Sequence, residues 1–100
     1  MIDLDAVSQW LDDRLMTNLV SEVWIFGSAL HALRPHDDVD VFIKYLDGHS
    51  ASIPNLRREA QLGFDERFGV PLHLLFLNHA ESAESVKFLE SALCGGFRVR

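Results

Sequence analysis

Asp38-Val39-Asp40-Val41 alternates acidic and apolar residues at the head of the run Val39–Tyr45. In an extended strand successive side chains point to opposite faces, so both carboxylates share one face and the two valines pack on the other. Two carboxylates held this close repel each other unless a cation sits between them. Hard oxygen donors of this kind suit Mg2+ carrying the phosphates of a nucleotide. Upstream, the apolar run Val23-Trp24-Ile25-Phe26 ends in Gly27-Ser28. Glycine permits a tight turn and the close approach of a ligand. Ser28 falls where a short helix would begin, and the free N–H groups and dipole of a helix start favour an anion. One turn could therefore hold phosphate while the neighbouring strand holds metal. The competing reading of Asp38 and Asp40 is a solvated strand start, where acids are common.

The elements that must position these residues follow from periodicity. Leu4, Val7, Trp10, Leu11 and Leu15 recur at helical spacing, predicting an amphipathic helix over 3–16 with its stripe on the core or, alternatively, on a partner. A strand over 23–26, the Gly-Ser turn, a short helix over Ala29–Leu33 and a loop at Arg34–Asp37 precede the second strand, 39–45. Pro35 opposes continuation of that short helix. After a turn at Asp47-Gly48 and a polar loop, Pro54 fits the first turn of a helix capped by Ser52. Its apolar positions are Leu56, Ala60, Leu62 and Phe64, and Gly69 terminates it. A third strand spans 72–77 and is apolar except for His73. One last helix opens at Asn78 or Ser82, carries Val86, Leu89, Ala92 and Leu93, and ends at Gly95-Gly96; Phe97–Val99 adds a short edge strand. Alternating strands and helices predict one α/β (α+β) layer domain over 1–100, a small mixed β-sheet packed with helices.

Gly27-Ser28, nine intervening residues and Asp38-Val39-Asp40 resemble the Gly-Ser…Asp-x-Asp signature of the nucleotidyltransferase superfamily that includes DNA polymerase β. The chain's size is similar to that of its minimal bacterial branch, often paired with a HEPN-type helical partner in toxin–antitoxin modules. Val70–Phe76 resembles the third core strand of that family, and Phe88-Leu89…Gly95–Val99 its closing helix and final extended piece. The resemblance implies a polymerase β-like core and transfer of a nucleoside monophosphate, AMP from ATP or its counterpart from another nucleoside triphosphate, to a partner protein or other macromolecule. It implies Asp38 and Asp40 as catalytic ligands of Mg2+, in a two-metal arrangement, and Gly27 and Ser28 as the holders of the β- and γ-phosphates. It also implies an antitoxin role and a helical partner. The alternative is a degenerate domain of the same fold that binds a partner or senses nucleotide without catalysis.

The sequence departs from the family pattern at named positions. His73 stands where a third carboxylate is usual, and Mg2+ prefers oxygen; the other reading of His73 is a histidine satisfied by hydrogen bonds on a buried strand. Ala29 and Ala32 replace residues common in the short helix. Asp65 or Glu66 could supply a replacement acid, although their spacing also describes a solvated helix face. Asp37 reads as a loop cap. His31 and His36 flank the turn, and His49 and His79 fall in loops without zinc-ligand spacing.

Composition bounds the remaining classes. A net charge of −6 opposes an extensive nucleic-acid footprint, because phosphates are met mostly by Lys and Arg; Arg57 and Arg58 make only a small basic spot. No apolar run approaches the ~18–20 residues of a membrane span. The acidic, amphipathic N-terminal stretch fits neither a signal nor a transit peptide. A single cysteine, Cys94, precludes an internal disulfide and fits a reducing, cytoplasmic setting. Oligomerisation is compatible with all of this.

Overall fold

A computed structural model describes residues 3–15, 17–27 and 38–100. The expected short helix at 29–33, Ser28, the loop at 34–37, His31, His36 and Asp37 lie outside the described residues. The remaining elements form a mixed four-stranded sheet packed with helices, the fold class expected from the alternation.

Helix α1, Leu4–Arg14, starts at Asp3, whose carboxylate accepts from the backbone N–H groups of Asp5 and Ala6. Its stripe faces the core: Val7, Leu11 and Leu15 are fully buried, which removes it as a free docking face. Strand β1 is Val20–Phe26, three residues longer at its start than the apolar run suggests. Ser21 and Glu22 break that run chemically, but the strand accommodates them through a register irregularity between Val20 and Glu22. Strand β2, Val39–Tyr45, pairs antiparallel with β1 and parallel with β3, Leu72–Asn78. The two-residue β4, Phe97–Arg98, pairs antiparallel with β1, so the order is β3-β2-β1-β4.

The link from β2 to β3 is helix α2, Ile53–Phe68, preceded by a 3-10 turn at Ser50–Ser52. Pro54 sits in the first turn, where its missing N–H costs nothing. Ser52 occupies the cap position, but its side chain makes no capping hydrogen bond, contrary to expectation. Gly69 ends the helix in the left-handed region, φ +72°. Leu62 points to solvent and is 66% exposed, so it does not belong to the buried stripe. Ala60 and Phe64 do, and Phe64 meets Trp10 edge-on at 5.4 Å between ring centroids. Gln61 donates to the carbonyl of Leu72 and Arg57 to that of Leu74, with the Arg57 guanidinium lying over the Phe76 ring. Arg57 is therefore spent on the fold rather than on a basic surface.

Val7, Leu11, Leu15, Val23, Ile25, Val39, Val41, Ile43 and Phe64 are the innermost side chains, with α1 and α2 covering that face of the sheet. After β3 come two helices in place of the one expected. Helix α3, His79–Glu84, is opened by a capping box between Asn78 and Glu81; helix α4, Val86–Ala92, follows a break at Ser85. None of the α4 residues is buried, so the spacing of Val86, Leu89 and Ala92 does not mark a core stripe. Among the described residues no helix is long and apolar enough to cross a membrane.

Candidate functional site: a glycine turn, two carboxylates and a histidine

Alternation along β2 buries Val39 and Val41 completely and leaves Asp40 on the opposite face, with Asp38 two residues before it on the same side. The antiparallel register sets Phe26 against Asp40, so Gly27, the next residue, arrives beside the Asp40 carboxylate. Gly27 has φ +80°, and a Cβ placed on it would lie 2.5 Å from Asp40 Oδ2. A side chain there would be strained by the left-handed backbone and would have to push the Asp40 carboxylate aside. Gly27 and the Asp-x-Asp pair thus meet at one end of the sheet. Ser28, the expected second phosphate holder, lies outside the described residues.

The parallel register brings a third group. His73 is the cross-strand partner of Asp40, and its ring stands against both acids. Nε2 lies 3.1 Å from Asp38 Oδ2, and Nδ1 lies 3.5 Å from Asp40 Oδ1. Its side chain is 58% exposed, on a strand whose alternate residues Leu72, Leu74 and Phe76 are buried. Its two ring nitrogens face different carboxylates. Among the described residues no group of three or more His, Cys, Asp or Glu side chains is arranged to hold a metal ion. Burial raises the Asp40 carboxyl above its ordinary range; the attraction of His73 opposes that shift and the repulsion of Asp38 adds to it.

Whether Mg2+ suits these residues turns on the donor set. The carboxylates of Asp38 and Asp40 are hard, same-face and partly solvent-accessible, with side chains 39% and 30% exposed. They fit the ion as a pair. Asp65 and Glu66 are exposed on α2 and form no ion pair with this cluster. The role of His73 was not legible in the sequence, since it depends on a pairing across more than thirty residues of chain.

The remaining titratable groups serve the scaffold. On the same sheet face, Glu22 pairs with Lys44 at 3.3 Å and accepts from Trp24 Nε1 at 3.1 Å. The Ser21 hydroxyl donates to the Lys44 carbonyl and lies 3.0 Å from His79 Nε2, tying the start of α3 to the β1–β2 pair. With its proton committed to a carbonyl, that hydroxyl is not set up as a nucleophile. Cys94 is free and exposed, and His49 is exposed beside the 3-10 turn. No protein-family model matches the chain, and no curated protein or solved structure shows significant similarity to it.

Proposed function

We propose that this chain is a nucleotidyltransferase-like domain that takes a nucleoside triphosphate as its magnesium complex at the Gly27, Asp38 and Asp40 end of the sheet. The observation that carries the proposal is the contact between Gly27 and Asp40. A left-handed glycine turn is packed against one of two same-face carboxylates. A strand-edge acid pair serving only solubility would have no need of that turn.

In this reading the reaction is transfer of a nucleoside monophosphate, AMP in the first instance, to a partner protein or other macromolecule. The acceptor hydroxyl oxygen forms a bond to the α-phosphorus and gives up its proton to water, the bond from that phosphorus to the bridging oxygen of the β-phosphate breaks, and pyrophosphate leaves with its electron pair. When bound, magnesium neutralises phosphate charge and activates the acceptor oxygen. Asp38 and Asp40 would hold it, and Gly27, lacking a side chain, leaves the phosphates room to approach. With Ser28 it forms the proposed β- and γ-phosphate contact. The protein's contribution is placement and charge balance more than covalent chemistry. A helical HEPN-type partner and an antitoxin role in a cytoplasmic toxin–antitoxin pair belong to this same proposal, supported by the sequence resemblance.

A second reading is favoured by His73. With an imidazole rather than a third acid beside Asp40, the domain would bind nucleotide or a partner protein without transferring anything. Calorimetric titration of MgATP, then MgGTP, into the wild-type protein and the Asp38→Asn/Asp40→Asn double variant tests the shared premise. Magnesium-dependent binding in the wild type that disappears in a folded double variant is expected. Absence of binding by the folded wild type would remove the stand-alone nucleotide site.

A further inference from the structure

We infer that the His73 imidazole occupies the place between Asp38 and Asp40 that a divalent ion would take, and that such an ion binds there only by displacing it. The inference rests on the magnesium reading above and deepens it. Three observations carry it. Each ring nitrogen is engaged by a different carboxylate, at 3.1 Å and 3.5 Å, which makes His73 a bridge between the acids rather than a third donor beside them. The strand register holds it there, because Asp40 and His73 are direct partners in the parallel β2–β3 pair. The side chain is 58% exposed on an edge strand, so the ring can swing into solvent without disturbing the core.

Two acids on one face need a positive neighbour. Here the chain sets an imidazole ring between them from its own third strand. An incoming ion must compete with it and then use the two carboxylate groups, with water or phosphate oxygens filling its remaining positions. His73 therefore sets the threshold at which the site loads. It is a positioning residue for the acids and a competitor of the metal, not one of its ligands.

The opposite possibility, that His73 is a metal ligand, predicts the opposite sign, which makes the test direct. Mn2+ serves as the spin-visible probe, titrated into the wild type and His73→Ala at one fixed pH and followed by electron paramagnetic resonance of the free ion. Removing the competitor is expected to tighten Mn2+ binding by about 3- to 10-fold, the scale of two partly exposed ion pairs. Adding Asp38→Asn/Asp40→Asn to His73→Ala should abolish that binding. Unchanged or weaker binding by His73→Ala overturns the inference while leaving the two-carboxylate site standing. Absence of Mn2+ binding by both folded proteins overturns the magnesium reading itself, and the inference with it. A second measurement needs no variant at the site: imidazole nitrogen–proton correlation spectra of the wild type during Mg2+ titration. The His73 ring signals should move with saturation while those of His49 and His79 stay fixed, and a His73 ring unmoved at saturation overturns the inference.

Discussion

Gly27 shows how much one missing atom can decide. Its φ of +80° is strained for any L-residue with a side chain, and the Cβ of an alanine would lie 2.5 Å from Asp40 Oδ2. Gly69 has a similar φ, +72°, with nothing within 4 Å of the same built atom. The two glycines therefore separate backbone strain from the carboxylate contact. Gly69→Ala should cost about 1 kcal/mol of stability, the strain alone. Gly27→Ala should cost about 1–3 kcal/mol and also push the Asp40 side chain from its place. Urea denaturation gives the two costs. The second effect would appear as a loss of divalent-ion binding larger than the stability loss explains. Gly27 and the Asp38/Asp40 pair were legible in the sequence because a turn glycine and period-two alternation are local signals. The resemblance placed His73 at the third-carboxylate position, but its contact with both acids was not legible, because it follows only from the strand beside it.

At the level of elements, the face carrying the acids is braced at its other end by charges from three strands. Glu22 on β1 meets Lys44 on β2 at 3.3 Å, while Arg98 on β4 approaches Glu22 at 4.0 Å and lies over the Trp24 ring. Burial alone would raise the Glu22 carboxyl. The hydrogen bonds from Trp24 and Lys44, with the charges of Lys44 and Arg98, outweigh it and hold the group below its ordinary 4.5. A carboxyl lowered on folding contributes stability that is fully present above its unfolded value and lost as the pH falls through its folded value. Glu22→Gln should therefore melt below the wild type at neutral pH, and the gap should close as the pH falls below 4.5. Thermal unfolding across a pH series measures this; a gap that persists unchanged into acid would contradict the brace. The brace also explains why β1 begins earlier than its apolar residues suggest. Ser21 and Glu22 look like loop residues in isolation, but across the sheet they have partners in Lys44 and His79.

Across the described residues, one face of the sheet is committed to the core, and the other carries the charges and the candidate site around a buried Phe42. Helix α2 makes the committed side, and Phe64 is its largest fully buried side chain, packed on Trp10 and Phe68. Phe64→Ala should cost about 3–5 kcal/mol, a large part of the ~5–15 kcal/mol that holds a domain together. Circular dichroism during urea unfolding should show the midpoint fall accordingly. Layering of this kind is legible in periodicity, since Val39 and Val41 flank Asp40, Ile43 precedes Lys44 with Phe42 the buried exception on the other face, and Val7, Leu11 and Leu15 recur by turns of helix. The break between α3 and α4 was not legible. The apolar residues Val86, Leu89 and Ala92 keep helical spacing although none of them is buried, and Ser85 carries no sequence mark of a helix end.

The way α2 meets β3 has a consequence for self-association. The Pro71 carbonyl turns inward to the N–H of Val39, so those of Leu72 and Leu74 turn outward along the free side of β3. An exposed row of this kind is a template on which a second chain can add a strand and from which a fibril can grow. Gln61 and Arg57 already occupy those two carbonyls. The first half of this margin is thereby guarded from within, and among the described residues the opposite margin is the two-residue β4. Copies of this protein that associate should do so through side-chain surfaces, with their sheets remaining separate.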